Sequence, residues 1–354
     1  MLLNTNGKHV VIKLLGLLLL VFYTLFRPLL ADDRTSQDSR EILTAALKAQ
    51  SQGHYRKAKK LISTQKHHPL YGYVKYRDLR RRLGRYPLAE VNSFLRDEKN
   101  SRVGKKLRKA WLIRLHKGRR WGDFLSAYKP DFNNDVEMRC RYFESKIMRG
   151  KGLTVLSEIK NTWLNGESLP KECDPAFSLL YADNNLDDKL VWSRIKMAYE
   201  SKNSSLAKYL ATYIGDKRLK KLYGNWATAK RAPKRFLIKQ KIKESPESRD
   251  ILTYAIARLA KSDFAAAAKF WDSISSRFSF SNQETATIMS ALGIAATKSG
   301  DPRAIKFLDQ IEDKYVDRLV ELHRLSAGIL FKSWPEIIRW TTNSPTSDIS
   351  KSRW

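Results

Sequence analysis

The sequence predicts an all-α protein, an α-α superhelix in which helical hairpins stack in a tetratricopeptide-like but irregular array. Three observations predict it. Apolar residues recur at helical spacing: Phe264, Ala267/Ala268, Trp271 and Ile274 form one such series, Leu252, Ile256 and Leu259 a second, Ile288, Ala291/Leu292 and Ala295 a third. Sustained alternation of apolar and polar residues is missing, and Asn165-Gly166, the one Asn-Gly dipeptide, interrupts helical patterns. A short polar turn followed by a bulky residue recurs along the chain. It is seen at Gln52-Gly53-His54-Tyr55, Lys117 to Trp121, Arg149 to Gly152, Ala260 to Phe264, Lys298 to Asp301 and Phe331 to Trp334. Such turns join two helices, and the bulky residue packs back between them. A hairpin that cannot bury its own apolar stripe does so by stacking on the next. An ordinary globular helical bundle is the competing architecture, and the lack of any apolar stretch long enough for one thick core argues against it.

Taken in order, the chain opens on a targeting segment. Lys8 and Lys13 precede an apolar run from Leu14 to Phe26, Arg27-Pro28 ends it, and Ala31 offers a small residue for cleavage, so residues 1–31 read as a signal peptide. Lys13 leaves the run short of the roughly 20 apolar residues of a spanning helix. Leu29 is not small, which keeps an uncleaved N-terminal anchor as the alternative and the only expected contact with a membrane. Residues 32–340 read as one superhelical domain without an internal linker. Residues 341–354 read as a frayed tail where a capping helix is expected, which suggests a truncated chain.

Charge narrows the function. Of the 354 residues, 67 are Lys or Arg and 36 are Asp or Glu, a net charge of +31; removing Lys8, Lys13 and Arg27 with the signal leaves 31 − 3 = +28. Residues 32–120 hold 25 basic and 8 acidic side chains. An exported protein seldom meets nucleic acid, and no zinc-finger or RNA-recognition signature accompanies the charge, so no nucleic-acid partner is expected. Acidic cell-envelope polymers are the expected partners of Arg80, Arg81, Arg82, Lys105, Lys106, Arg119 and Arg120. The bland alternative is that these side chains merely coat solvent-facing helices. Tyr71, Tyr73 and Tyr76, and Trp121 with Phe124 and Tyr128, are placed to stack on sugar rings, against the commoner use of such rings as hairpin core.

Cys140 and Cys173 are the only cysteines. An even pair in an exported chain is expected to be bridged; two buried thiols are the alternative. Catalytic chemistry is not legible. His67-His68 point about 100° apart on a helix, His54, His116 and His323 look isolated, and no His-Glu-x-x-His or Gly-x-Ser-x-Gly motif is present. No metal and no cofactor is expected.

The residues carry a resemblance. His68-Pro69-Leu70-Tyr71-Gly72-Tyr73-Val74-Lys75-Tyr76-Arg77-Asp78-Leu79 resembles the HPLYPYLEYR opening of the soluble lytic murein transglycosylases. Leu107 to Trp121, then Cys140-Arg141-Tyr142-Phe143 and Leu169 to Asp174, follow in the family's order; beyond about Lys202 only helical pattern and order support the likeness. The resemblance implies a ring of helical hairpins with a Cys140–Cys173 bridge, a periplasmic location and peptidoglycan as partner. In the family a lysozyme-like domain cuts the MurNAc–GlcNAc bond and leaves a 1,6-anhydro product, using one glutamate as acid and then base. Glu144-Ser145, Glu167-Ser168, Glu200-Ser201 and Glu244-Ser245 all lack the glycine-rich stretch that follows the family's Glu-Ser, so no catalytic residue carries over. The resemblance therefore implies a scaffold or glycan-binding part, inactive alone, with a separately encoded catalytic domain as a further partner. An exported protein–protein adaptor and an enzyme with an unrecognised site are the other readings.

Overall fold

The computed structural model describes residues 38–66, 68–84, 88–182 and 186–342. The expected signal peptide and all but the first two residues of the expected tail lie outside these. Every regular element among the described residues is a helix. The chain divides into two compact units, one ending at Val155 and one beginning at Leu156.

The first unit contains α1 (38–51), α2 (Tyr55–Ser63), α3 (Tyr71–Arg81), α4 (Leu88–Asp97), α5 (Arg102–Lys117), α6 (Trp121–Ala127) and α7 (Val136–Ile147). Its apolar side chains form two clusters. Leu43, Ala46 and Ala49 meet Ala58, Ile62 and Val74 in the first. The second runs from Leu79 to Met138 and centres on α5, whose Val103, Leu107, Trp111 and Leu115 recur every four residues along one face. That spacing keeps one stripe of the helix pointed at α3, α4, α6 and α7, all of which pack against it. Gly104 permits the approach at the start of α5, because a Cβ there would lie 2.0 Å from the Glu98 carbonyl oxygen.

The second unit alternates longer and shorter helices: α8 (Leu156–Trp163), α9 (Asp174–Tyr181), α10 (Asp188–Glu200), α11 (Ser204–Leu210), α12 (Lys217–Arg231), α13 (Pro233–Lys239), α14 (Pro246–Ala260), α15 (Phe264–Ile274), α16 (Asn282–Ser299), α17 (Arg303–Asp309), α18 (Arg318–Leu330) and α19 (Trp334–Thr342). From α12 on, the long helices pack on one another, α12 on α14, α14 on α16 and α16 on α18, while each also holds the short helix that follows it. The all-α fold of stacked hairpins is thus the one expected. Rings stitch the layers: Tyr199 of α10 lies flat on Trp226 of α12 at 4.6 Å, and Tyr254 of α14 meets both edge-on. A polar layer runs alongside, where Asp250 of α14 accepts hydrogen bonds from Trp192 Nε1 (3.0 Å) and Lys196 Nζ (2.6 Å) of α10. Burial pushes the Asp250 carboxyl above its ordinary pKa, although Lys196 and Trp192 pull the other way.

One turn recurs through both units. Gly53, Arg119, Gly150, Lys202, Gly300 and Lys332 all have left-handed φ, between 54° and 81°. In each turn the next residue's N–H returns to a carbonyl five positions back, as in His54 to Ala49, Asn203 to Ala198 and Ser333 to Gly328. These are Schellman closures, which satisfy carbonyls orphaned at a helix end. The Ala260–Phe264 junction, read from sequence as the same punctuation, has no left-handed residue; its Asp263 N–H bonds to Leu259 only four back, and its side chain caps α15. Trp334, expected to pack back, is instead 57% exposed.

Both cysteines are fully buried and disulfide-bonded. The buried-thiol alternative is excluded, since there is no free cysteine.

Lys202→Gly and Lys332→Gly should each stabilise the protein by up to about 1 kcal/mol, because a Cβ in a left-handed residue costs roughly 1–2 kcal/mol and glycine returns part of that as unfolded-state entropy. Gly300→Ala should destabilise by a similar amount; urea midpoints measure all three. The 173 − 140 = 33-residue loop predicts that reduction costs roughly 3–4 kcal/mol, read as a drop in melting temperature.

Candidate functional site

The basic side chains singled out by sequence all belong to the first unit, and the structure sorts them. Arg80, Lys106 and Arg119 are exposed. Arg81 lies over the Tyr55 ring, 3.2 Å from its centroid. Arg82 forms a two-pronged pair with Asp78 at 2.8 and 2.9 Å, Arg120 pairs with Asp123, and Lys105 stands 3.8 Å from Asp131. Three of the seven therefore have a carboxylate neighbour in their own unit.

The aromatic candidates do not gather into one platform. Tyr73 is exposed, whereas Tyr71 and Tyr76 pack against the edges of the two apolar clusters. Positions 71, 73 and 76 fall about 200° and 300° apart around a helix, so one face cannot carry them all. Trp121 meets the His116 ring edge-on at 5.1 Å, His116 meets Phe124, and Phe124 stacks on Tyr128, which stacks on Tyr142. That ladder is the seam between α5, α6 and α7. Trp121, Phe124 and Tyr128 thus sit in hairpin packing. His116, which looks isolated in sequence, has its Nε2 2.8 Å from Glu144 Oε2. The atoms are close but poorly aligned for a hydrogen bond, so the contact is an ion pair when the imidazole is protonated.

The structure gathers a different set of cations, of which Arg120 alone was singled out from the sequence. Two clefts, of about 430 and 350 Å³, lie on either side of Trp111. Arg96, Arg108 and Lys129 border the first together with Asp123, and Arg114, Lys117 and Arg120 border the second with no carboxylate among the lining residues. Six cations against one carboxylate give the pair of clefts a strong positive potential. The fold places them by periodicity. Arg108, Arg114 and Lys117 flank the stripe of α5 that Trp111 and Leu115 bury, so the same register that seals the core lines the clefts with charge.

Arg108 is the structural member. Its guanidinium donates to the carbonyls of Ala127 (3.1 Å) and Leu95 (3.2 Å), tying the ends of α6 and α4 to α5. Partial burial lowers its pKa, with Asp131 opposing. Sequence reading missed Arg96, Arg108, Arg114, Lys117 and Lys129 because they are spread over α4, α5 and the segment after α6 and form no run of basic residues among themselves; the i, i+3, i+6, i+9 run of Arg108, Trp111, Arg114 and Lys117 is the signal that was available.

Asp135 stands at the start of α7. It caps α7 by accepting from Met138 N–H at 3.2 Å and pairs with Lys109. Burial would raise its pKa, but those bonds outweigh burial and hold it below the usual carboxylate range.

No protein-family profile matches the chain. The soluble lytic murein transglycosylases of Escherichia coli (strain K12) and of Salmonella typhimurium are each 29% identical to it over 146 residues, which is 41% of this chain and 22% of each relative. Among solved structures, an inactive mutant of the lytic transglycosylase Slt from Pseudomonas aeruginosa superposes with a TM-score of 0.71 at 26% identity, covering 88% of this chain and 50% of that one. A 70-kDa soluble lytic transglycosylase complexed with bulgecin A superposes with a TM-score of 0.67 at 18% identity, again over half of that chain, a likeness of fold alone. The chain is an all-α stacked-hairpin protein, and the resemblance to the soluble lytic murein transglycosylases read from its sequence is supported by curated and structural relatives alike. It spans about half the length of the solved relatives and matches less than a quarter of the curated ones.

Replacing Arg108 by Ala should destabilise the fold by roughly 1–3 kcal/mol, since two carbonyls lose their donor, and Arg108→Lys should recover only part of this. Because the folded pKa of Asp135 is depressed, its contribution is present above the unfolded value near 4 and lost as pH falls through the folded value. Wild type should therefore lose stability below about pH 4 more steeply than Asp135→Asn. Urea midpoints from pH 2 to 6 measure the difference.

Proposed function

We propose that this chain is a periplasmic, peptidoglycan-associated helical scaffold that holds the wall polymer while glycan cleavage is carried out by residues outside it. The single observation that carries the reading is the pair of cationic clefts beside Trp111, in a chain whose sequence and structural relatives are murein lytic transglycosylases. Peptidoglycan presents carboxylates on its peptide stems, and a low-lying cluster of guanidinium and ammonium groups attracts them at a range set by ionic strength. At Glu144-Ser145, Ser145 is buried and donates to the Arg141 carbonyl, and Glu144 lies beside the His116 ring. A catalytic domain outside these residues is proposed to supply the chemistry.

A protein–protein adaptor is the second reading. It is favoured by α18 and α19, which leave Leu319, Ile329, Leu330, Trp334 and Ile338 more than half exposed.

The test is co-sedimentation with isolated sacculi. Wild type should be retained at low salt and released as salt rises, and a quadruple variant Arg96→Glu, Arg114→Glu, Lys117→Glu, Lys129→Glu should lose retention at least tenfold while keeping its far-ultraviolet helical spectrum. Retention unaffected by the four substitutions would reject the clefts as the binding surface.

A further inference from the structure

The second unit carries an aromatic surface that neither the basic clefts nor the hairpin packing explains. Tyr181 ends α9, Tyr209 lies in α11, and Tyr213 closes the short 3-10 turn Ala211–Tyr213 that follows it. The Tyr181 and Tyr213 rings are stacked at 5.0 Å with an interplanar angle of 11°, and Tyr209 meets Tyr213 edge-on at 5.4 Å. The hydroxyls of Tyr209 and Tyr213 share a hydrogen bond of 2.6 Å. These rings are not core. Tyr181 is 41% and Tyr209 52% exposed, whereas Tyr199, which does serve the core, is 4% exposed.

Beneath them lies an unusual charge. Arg194 is 4% exposed, and its guanidinium carbon stands 4.5 Å from the centroid of Trp163. Its Nε donates to the Asn165 carbonyl at 3.1 Å, and no carboxylate pairs with it among the described residues. Trp163 in turn points its indole N–H at the Tyr181 hydroxyl, 3.4 Å away. Burial depresses the pKa of Arg194, and the nearby Tyr181 and Tyr209 oppose it. A buried guanidinium without a counter-ion is costly, and its field favours electronegative ligand atoms at the surface above it.

We propose that Tyr181, Tyr209 and Tyr213 form a glycan-binding platform, on which the apolar face of a pyranose ring stacks while its oxygens meet the tyrosine hydroxyls over Arg194. The chemistry selects this ligand class. Each hydroxyl already holds one bond within the cluster, but a purely apolar partner would strip water from its remaining donor or acceptor capacity, whereas a sugar offers C–H groups to the ring face and hydroxyls and N-acetyl oxygens to the rim. The inference deepens the murein reading and takes from it the choice of an N-acetylated sugar, but it places the contact on a surface that bears none of the clefts' cations.

The test uses a neutral ligand, so the cationic clefts contribute no charge attraction. A β-1,4-linked tetramer of N-acetylglucosamine is titrated into the full chain and binding is followed by calorimetry and by protein-detected NMR. Wild type should bind with millimolar or tighter affinity; a Tyr181→Ala, Tyr209→Ala double variant should bind at least tenfold more weakly with an unchanged helical spectrum. Tyr209→Phe should retain the stack and lose only part of the affinity. Absence of binding by folded wild type, or affinity unchanged in the double alanine variant, overturns the platform; sacculus retention persisting alongside either result would leave the cationic reading standing.

Discussion

The described hairpins bury their apolar residues against neighbouring hairpins and not within one pair alone, and the rest of the structure follows from that. In the second unit the remedy is visible at α14 and α16. Each long helix carries apolar residues too widely spread for a single partner: α14 buries Ile251, Leu252, Ala255, Ile256 and Leu259, and α16 buries Ala286, Ile288, Met289, Leu292 and Ala296. Each is therefore held between the long helix before it, the long helix after it and its own short partner. Gly293 shows how tight the hairpin contact becomes, since a Cβ there would fall 2.6 Å from the Leu308 side chain. Such stacking adds stability locally, one interface at a time. It also leaves the outward faces of the helices in each unit free of core duty, where charges and rings can be placed.

The two candidate surfaces use that freedom differently. In the first unit, the outward flanks of α5 carry Arg114 and Lys117 while Trp111 and Leu115 face inward, so a binding surface costs the core nothing. Arg108 works on both sides, bonding two helix ends while adding its charge to a cleft. In the second unit Tyr181 ends α9, while Tyr209 and Tyr213 occupy a short helix and a 3-10 turn whose buried positions are taken by Ala207, Leu210 and Ala211. Polymer binding suits such surfaces, because many weak contacts along an extended ligand add up without any deep pocket.

The helical class was legible because a 3.6-residue period and short polar turns are local properties, and they are written directly at Phe264–Ile274 and at Gly53, Gly150 and Gly300. Less was legible where chemistry and conformation part company. Lys202 adopts the same left-handed turn as Gly300 with a side chain that gives no hint of it, and Ala260–Phe264 has the composition of that turn without its geometry. The sites were harder still. Clustered charges such as Arg80-Arg81-Arg82 catch the eye but spread around the helix, one exposed, one over a ring and one on Asp78. The cations that do converge are scattered from Arg96 to Lys129, and Tyr181 and Tyr209 stand 28 residues apart; only tertiary packing brings either set together.

The central claim is that the wall polymer meets the first unit at the clefts beside Trp111. Site-specific photo-crosslinking tests it most directly. A photoreactive side chain would be placed at position 117 in one variant, and in place of the equally exposed Lys269 of α15 in another, and each would be irradiated with intact sacculi. The account predicts muropeptide adducts at position 117 and few at 269. Equal labelling at both positions, or adducts at 117 that contain only protein, would contradict it.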